Sequence, residues 1–175
     1  MNSYKAIINQ LQFEAEKSNI DHKLAAGIIK SNKLISKPYC NSTHTIKSMN
    51  TGSLHAEAHA ILKYFGKSFY FDNKKNTVYF PGDNYKKKKI DLIVIRINKN
   101  KEMCNARPCY NCLNMMKCVG INRVYYSISP NEIICEYVKY MVSIQASSIT
   151  RQLDLKIRNY NNLTSYYENL LIKNF

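Results

Sequence analysis

Four residues in this chain have the types and spacing to act together on a metal: His55, Glu57, Cys109 and Cys112. The first two lie in "SLHAEAHAILKYF", Ser53 to Phe65. The second two lie in "NARPCYNCLNMMKCVGINRVYYS", Asn105 to Ser127. Each pair opens a segment with helical periodicity. A helix N-terminus carries partial positive charge and free N–H groups, which favours thiolate over thiol and primes Cys109 and Cys112 for a metal. One imidazole and two thiolates make three protein ligands. A structural zinc site closes with four, whereas a catalytic zinc keeps the fourth position for water and draws its pKa toward about 7. Glu57, two residues after His55, is placed to move that water's proton without binding the metal.

Other metal motifs fit less well. The zincin motif needs Glu directly after its first His, and here Ala56 intervenes. A zinc ribbon needs a second C-x-x-C pair, which is absent. His59 is four residues beyond His55 on the same helical face. It is expected to pack beside the site, a fourth ligand being the alternative. Cys40, Cys104, Cys118 and Cys135 read as small buried or half-buried residues.

These ligands require elements to position them. Apolar residues recur at helical spacing from about Ser3 to Ser18. "AAGIIKSNKLISKPY", Ala25 to Tyr39, reads as a hairpin turning at Ser31 and Asn32. A helix is predicted from His55 to Phe65, stopping at Gly66. A strand follows at Asp91 to Asn98. A helix from Cys109 to Val119 begins directly after Pro108, with Pro in the first turn, and Gly120 closes it. Asn122 to Ser129 is another strand. This alternation implies an α/β sheet covered by helices. Residues 67–90 read as a basic insertion or long loop. "IICEYVKYMVSI" fits either strand or helix.

H-x-E followed by P-C-x-x-C is the signature of zinc-dependent nucleobase deaminases. It stands here as His55-Ala56-Glu57 and Pro108-Cys109-Tyr110-Asn111-Cys112. On these motifs the chain resembles the cytidine and deoxycytidylate deaminase superfamily. The similarity extends through "AAGIIKSNKLISKPYCN" and "GINRVYYS", covering residues 20–128. The resemblance implies a mixed five-stranded sheet flanked by helices. It implies one zinc per chain on His55, Cys109 and Cys112, with Glu57 as general acid/base. It implies hydroxide attack on C4 of cytosine, with release of ammonia. Asn41 matches an asparagine that touches the sugar, and Arg107 and Pro108 are expected beside the substrate. Many relatives carry Ser, Glu or Phe where this chain has Arg107, which weighs against an adenine substrate.

The chain's 175 residues suit one domain with an extension, and 45% hydrophobic content supports a sizeable core. The core is expected over 1–130 with the basic insertion at 67–90, and a helical extension packed on it over 131–175. No apolar run is long enough for a transmembrane helix, and charge interrupts the N-terminus too often for a signal peptide. The protein is therefore expected to be soluble and intracellular, without a membrane partner, its 6 cysteines being thiols or ligands rather than disulfides. The net charge of +14 has two readings. One is a nucleic-acid partner, with Lys86, Lys87, Lys88 and Lys89 as contacts. The other is compositional, because Lys, Asn, Ile and Tyr are all encoded by AU-rich codons. The favoured substrate is a free nucleoside or nucleotide, with a base in RNA or single-stranded DNA as the alternative. A third reading is an idle deaminase fold in a structural or nucleic-acid-binding role, against which an intact Glu57 argues. Self-association is expected from the resemblance.

Overall fold

A computed structural model describes residues 2–46, 49–66, 70–72, 77–79 and 89–144. Helix α1 spans Asn2–Glu16. β1 (Lys23–Lys30) turns back into β2 (Lys33–Leu34) and β3 (Tyr39–Cys40). β4 (Ser42–Ile46) and β5 (Met49–Leu54) form a hairpin that leads into α2 (Ala56–Phe65). β6 (Tyr70–Asp72) and β7 (Thr77–Tyr79) form a second hairpin. β8 (Asp91–Ile97), β9 (Met103–Cys104), α3 (Tyr110–Val119), β10 (Arg123–Ser129) and β11 (Glu132–Tyr137) complete the order.

The main sheet runs β11-β10-β8-β1-β2, with β3 also on β1 and β9 also on β8. β8 covers one edge of β1, so β2 and β3 share the other. β1 likewise covers one edge of β8, so β9 shares the other with β10. Seven strands thus fill five positions. The β8–β10 pair is parallel and the others are antiparallel. This is the mixed, helix-flanked sheet that the sequence led us to expect.

Strand alternation divides the core in two. Ala25, Ile29, Ile93, Ile95 and Ile97 face α1, against Ile7, Leu11 and Ala15. Ala26, Ile28, Leu92, Val94 and Val124 face α2 and α3, against Ala60, Ile61, Phe65, Leu113 and Met116. Each fully buried Leu or Ile stabilises by about 1.5–3 kcal/mol. β8 is covered on both faces, which is why it reads as a continuous apolar run rather than an alternating one.

Three local features follow from residue chemistry. Ser31 and Asn32 both take positive φ, 49° and 59°, the geometry of a tight hairpin loop. At Gly27 an added Cβ would lie 2.6 Å from Leu34 Cδ1, so the hairpin closes on a residue without one. Gly120 ends α3 with φ 76°, and the Ile121 N–H bonds the Met116 carbonyl, a Schellman-type cap.

Three expectations need correction. Glu132–Tyr137 is the edge strand of the main sheet, paired antiparallel with β10, so the core does not stop at 130. The strand won because its residues complete the β10 ladder. Residues 145–175, where a helical extension was expected, lie outside the described residues. The insertion at 67–90 carries the β6–β7 hairpin rather than loop alone, while Lys86, Lys87 and Lys88 lie outside the described residues and Lys89 is exposed. Cys118 and Cys135 are exposed rather than buried, and all six cysteines are free. Among the described residues no helix is long and apolar enough to cross a membrane.

Candidate metal centre

Two helix starts meet on the same side of the sheet. His55 is the N-cap of α2, with extended backbone at φ −67°, ψ 149°. Cys109 is the N-cap of α3, at φ −74°, ψ 167°. Pro108 therefore stands one residue ahead of the cap rather than in the first turn. Each cap carbonyl accepts the first helical hydrogen bond, from the His59 and Leu113 N–H groups, both at 2.9 Å. Cys112 lies on the first turn of α3, and Glu57 on the first turn of α2.

His55 Nδ1 lies 3.5 Å from Cys109 Sγ and 3.4 Å from Cys112 Sγ. Bonds of about 2.05 and 2.3 Å to one zinc at a tetrahedral angle place nitrogen and sulfur about 3.6 Å apart. The ligand atoms of all three residues lie within 4.8 Å of one another, and the group can hold a metal. His59 is not part of it. Its Nδ1 contacts the Cys40 carbonyl at 2.9 Å, and its ring lies 4.8 Å from the Tyr39 ring, so it packs α2 against β3.

Glu57 supplies the second half of the site. It is 2% exposed, and its Oε2 has no hydrogen-bond partner. Burial pushes its carboxyl above the ordinary carboxylate range, with positive charge on His55 opposing. A buried orphan oxygen costs about 1–3 kcal/mol, a cost that a protonated group or water beside it would relieve. The thiols differ from each other. A hydrogen bond from the Cys112 thiol pulls Cys109 down to about 4, and the His55 side chain adds to the effect. The same bond, with burial, pushes Cys112 well above an ordinary thiol. Its bond to Cys109 also raises His55. Each thiol's shift is thus set chiefly by the other, Cys112 donating and Cys109 accepting. Imidazole and thiolates are the donor set zinc prefers. Donors, spacing and the orphan carboxylate oxygen all fit a zinc centre.

The loop carrying Cys109 is clamped from several sides. Ser127 Oγ, fully buried, accepts the Arg96 N–H at 3.2 Å and donates to the Cys104 carbonyl at 2.7 Å. The Ala106 N–H bonds the Ser127 carbonyl at 2.8 Å. Arg107 reaches Tyr126 Oη, Glu136 Oε1 at 2.6 Å and the Val142 carbonyl at 3.3 Å. Tyr126 donates in turn to Glu136. Ser143 Oγ donates to the Pro108 carbonyl at 3.0 Å. Sequence reasoning missed Glu136, Tyr126, Ser127 and Ser143. The one available signal was Glu136 as a lone acid inside an apolar run.

Asn41 is 5% exposed. Its side-chain oxygen accepts the Leu24 N–H at 2.8 Å, and its nitrogen donates to the His22 carbonyl at 2.6 Å. The amide thus ties the β3–β4 corner to the start of β1. A cavity of about 190 Å³ opens beside the ligands, lined by Ser53, Leu54, His55, Asn111, Cys112 and Met115. That is below the roughly 300–1,000 Å³ of pockets for drug-sized ligands, and suits a single ring. A larger groove of about 620 Å³ lies between α1 and the β2 edge, away from these groups. Size alone would favour that groove, but it gathers no reactive side chains.

No protein-family model matches the sequence, and no curated protein matches it significantly. A solved structure does. The crystal structure of cytidine deaminase from Burkholderia pseudomallei matches with a TM-score of 0.52 at 14% identity, over 82% of this chain and 98% of that one. The chain has the cytidine deaminase fold. The His-Cys-Cys group lies where two helices of this cytidine deaminase-like fold begin.

Proposed function

We propose that this chain is a zinc-dependent deaminase that hydrolyses cytosine in a free cytidine or deoxycytidine nucleoside or nucleotide, giving the uracil product and ammonia. The observation that carries the reading is the buried, unpartnered Oε2 of Glu57 beside a group that has three ligands rather than four among the described residues. A closed structural site has no use for a fully buried carboxylate with a free oxygen. An idle scaffold would carry its cost for nothing.

His55, Cys109 and Cys112 would hold the zinc, one per chain. When bound there, zinc supplies Lewis acidity that makes hydroxide available near neutral pH. Glu57 does the proton work. Oε2 takes a proton from the attacking water and passes it to N3 as the C–O bond forms at C4. The carboxylate then takes the proton from the new C4 hydroxyl and gives it to the amino group. The C4–N bond breaks, ammonia leaves, and Glu57 ends as it began. A raised carboxyl suits this role, because proton transfer works best when the carrier titrates near the operating pH.

The small cavity suits one pyrimidine base, within the described residues, and a free nucleoside or nucleotide is the carrier proposed for it. Asn41 and Pro108 remain proposed neighbours of the substrate. For Arg107 the contacts with Glu136 and Tyr126 favour a positioning role instead. The test is incubation of zinc-loaded protein with cytidine, deoxycytidine, CMP, dCMP, single-stranded DNA and RNA, scoring ammonia and the change of base. Turnover is expected on one or more of the four small substrates. Turnover on oligonucleotides alone, or on none of the six, would reject the reading.

A further inference from the structure

Lys89, Lys117 and Lys139 line a single groove of about 510 Å³, together with Gly120, Ile121, Asn122 and Val138. They come from three elements: the approach to β8, the last turn of α3, and the residues after β11. No acidic residue lines the groove. Among the described residues no carboxylate pairs with any of the three. Lys117 donates to the Met141 carbonyl at 3.3 Å, and Lys139 Nζ lies 4.3 Å from the centre of the Tyr140 ring. Asp91, the nearby acid, is taken by Arg123 at 2.7 Å. Three lysines and no acid along one groove give it a positive field that an anion would relieve.

We infer that this groove binds the phosphate backbone of a single-stranded nucleic acid, at a surface separate from the metal centre. Two observations select this anion. The groove is much wider than one phosphate needs, and it takes lysines from several directions, which suits a run of charges. Exposed aromatic rings flank Lys139: Tyr137 is 52% exposed and Tyr140 72% exposed, edge to face with centroids 6.3 Å apart. Basic grooves beside exposed aromatic rings are how single strands are held, phosphates on the cations and bases on the rings. The sequence carries Lys86, Lys87 and Lys88 directly ahead of Lys89, so positive charge continues along the chain. The groove is not the catalytic pocket. Lys117 follows Cys109 by eight positions, about 12 Å of helical rise, and stands at the opposite end of α3 from the ligands. This inference does not rest on the deamination reading.

The test is fluorescence anisotropy of a labelled mixed-sequence single-stranded oligonucleotide against the full chain, at several salt concentrations. The groove variant is K89Q/K117Q/K139Q. A charge-matched control, K30Q/K33Q/K99Q, removes three exposed lysines elsewhere. Each phosphate contact contributes a salt slope of about −0.7 for single strands, so the groove variant should flatten the slope by about 2 and weaken binding about tenfold or more. The control should stay close to wild type. K89Q/K139Q keeps the Lys117–Met141 contact and should flatten the slope by about 1.4, which guards against a folding defect in the triple variant. Y140A should weaken binding about fivefold or more at unchanged slope. Equal losses in groove and control variants would mean net charge alone and overturn the inference. So would absent binding in wild type, or competition by UTP or polyglutamate as strong per charge as by the oligonucleotide. Zinc content and turnover on cytidine, read on the same variants, report separately on the deaminase reading.

Discussion

Arg107 and Glu136 form an ion pair at 2.6 Å that joins the loop before Cys109 to the edge strand β11. Tyr126 completes the cluster from β10, its ring under the guanidinium at 5.5 Å. Two neighbouring contacts fasten the chain after β11 to the same loop, Arg107 to the Val142 carbonyl and Ser143 to the Pro108 carbonyl. The position of Cys109 therefore depends on a strand that lies beyond it in sequence. Both partners are partly exposed, so the pair contributes little to overall stability, and its effect should appear at the metal. Arg107→Ala is expected to weaken zinc binding about tenfold to a hundredfold, as is usual for residues that orient ligands. Arg107→Lys should fall between. Chelator competition reads this, and wild-type zinc affinity in Arg107→Ala would end the positioning role.

The full chain should hold one zinc when purified without chelator. His55→Ala, Cys109→Ser and Cys112→Ser should each lose most of it, and His59→Ala should keep it. Native mass spectrometry gives the stoichiometry directly. Zinc retained in Cys112→Ser but lost in His59→Ala would assign the ligands differently.

Glu57→Gln should keep zinc and lose turnover by about 10²–10⁴-fold, because an amide cannot exchange the proton. The metal-free variant should also melt above the metal-free wild type at neutral pH. Burial raises the Glu57 carboxyl in the folded chain. Ionisation therefore destabilises the fold as pH rises from the unfolded value of about 4.3, and the gap between the two proteins should close at lower pH. Calorimetry at several pH values measures this. Equal melting at every pH would contradict the burial of a titrating carboxylate.

Zinc uptake should weaken as pH falls. Cys109, at about 4, is already a thiolate at neutral pH. Cys112, held well above an ordinary thiol, must release its proton, and His55, also raised, releases a further fraction. Between one and two protons per zinc should therefore appear near pH 7, each costing about tenfold in affinity per unit of acidification. Titration calorimetry in buffers of different ionisation enthalpy counts them. Release of no proton would mean that the pair is fully ionised before the metal arrives.

Asn41→Ala separates two roles. It leaves the Leu24 N–H and the His22 carbonyl without the side chain that now bonds them, a loss of about 1–3 kcal/mol. If the amide also touches a sugar, KM for a nucleoside should rise more than KM for free cytosine. A stability loss with the two KM values unchanged relative to each other would confine Asn41 to the corner it ties.

Much of the site was legible before any coordinates. His55, Glu57, Cys109 and Cys112 announce themselves because ligand type and helix position are local properties: a residue at a helix start is there whatever the rest of the chain does. Gly120 and the Ser31–Asn32 turn were readable for the same reason, since positive φ is decided within a few residues. The apolar run of β8 was readable as a strand, and the helices packed on either side of it show why the run is unbroken. What the sequence could not decide was anything that depends on which surfaces meet. Glu132–Tyr137 is a strand only because β10 offers it an open edge. Arg107 meets Glu136 because β10 and β11 bring Tyr126 and Glu136 beneath the loop. The lysines at 89, 117 and 139 converge only once α3 and the chain around β8 and β11 are folded together. Periodicity reports how a segment repeats along itself, and contact between distant segments has no such signature. The distances of 3.4 and 3.5 Å from His55 to the two sulfurs, which bring three possible ligands together, belong to the fold alone.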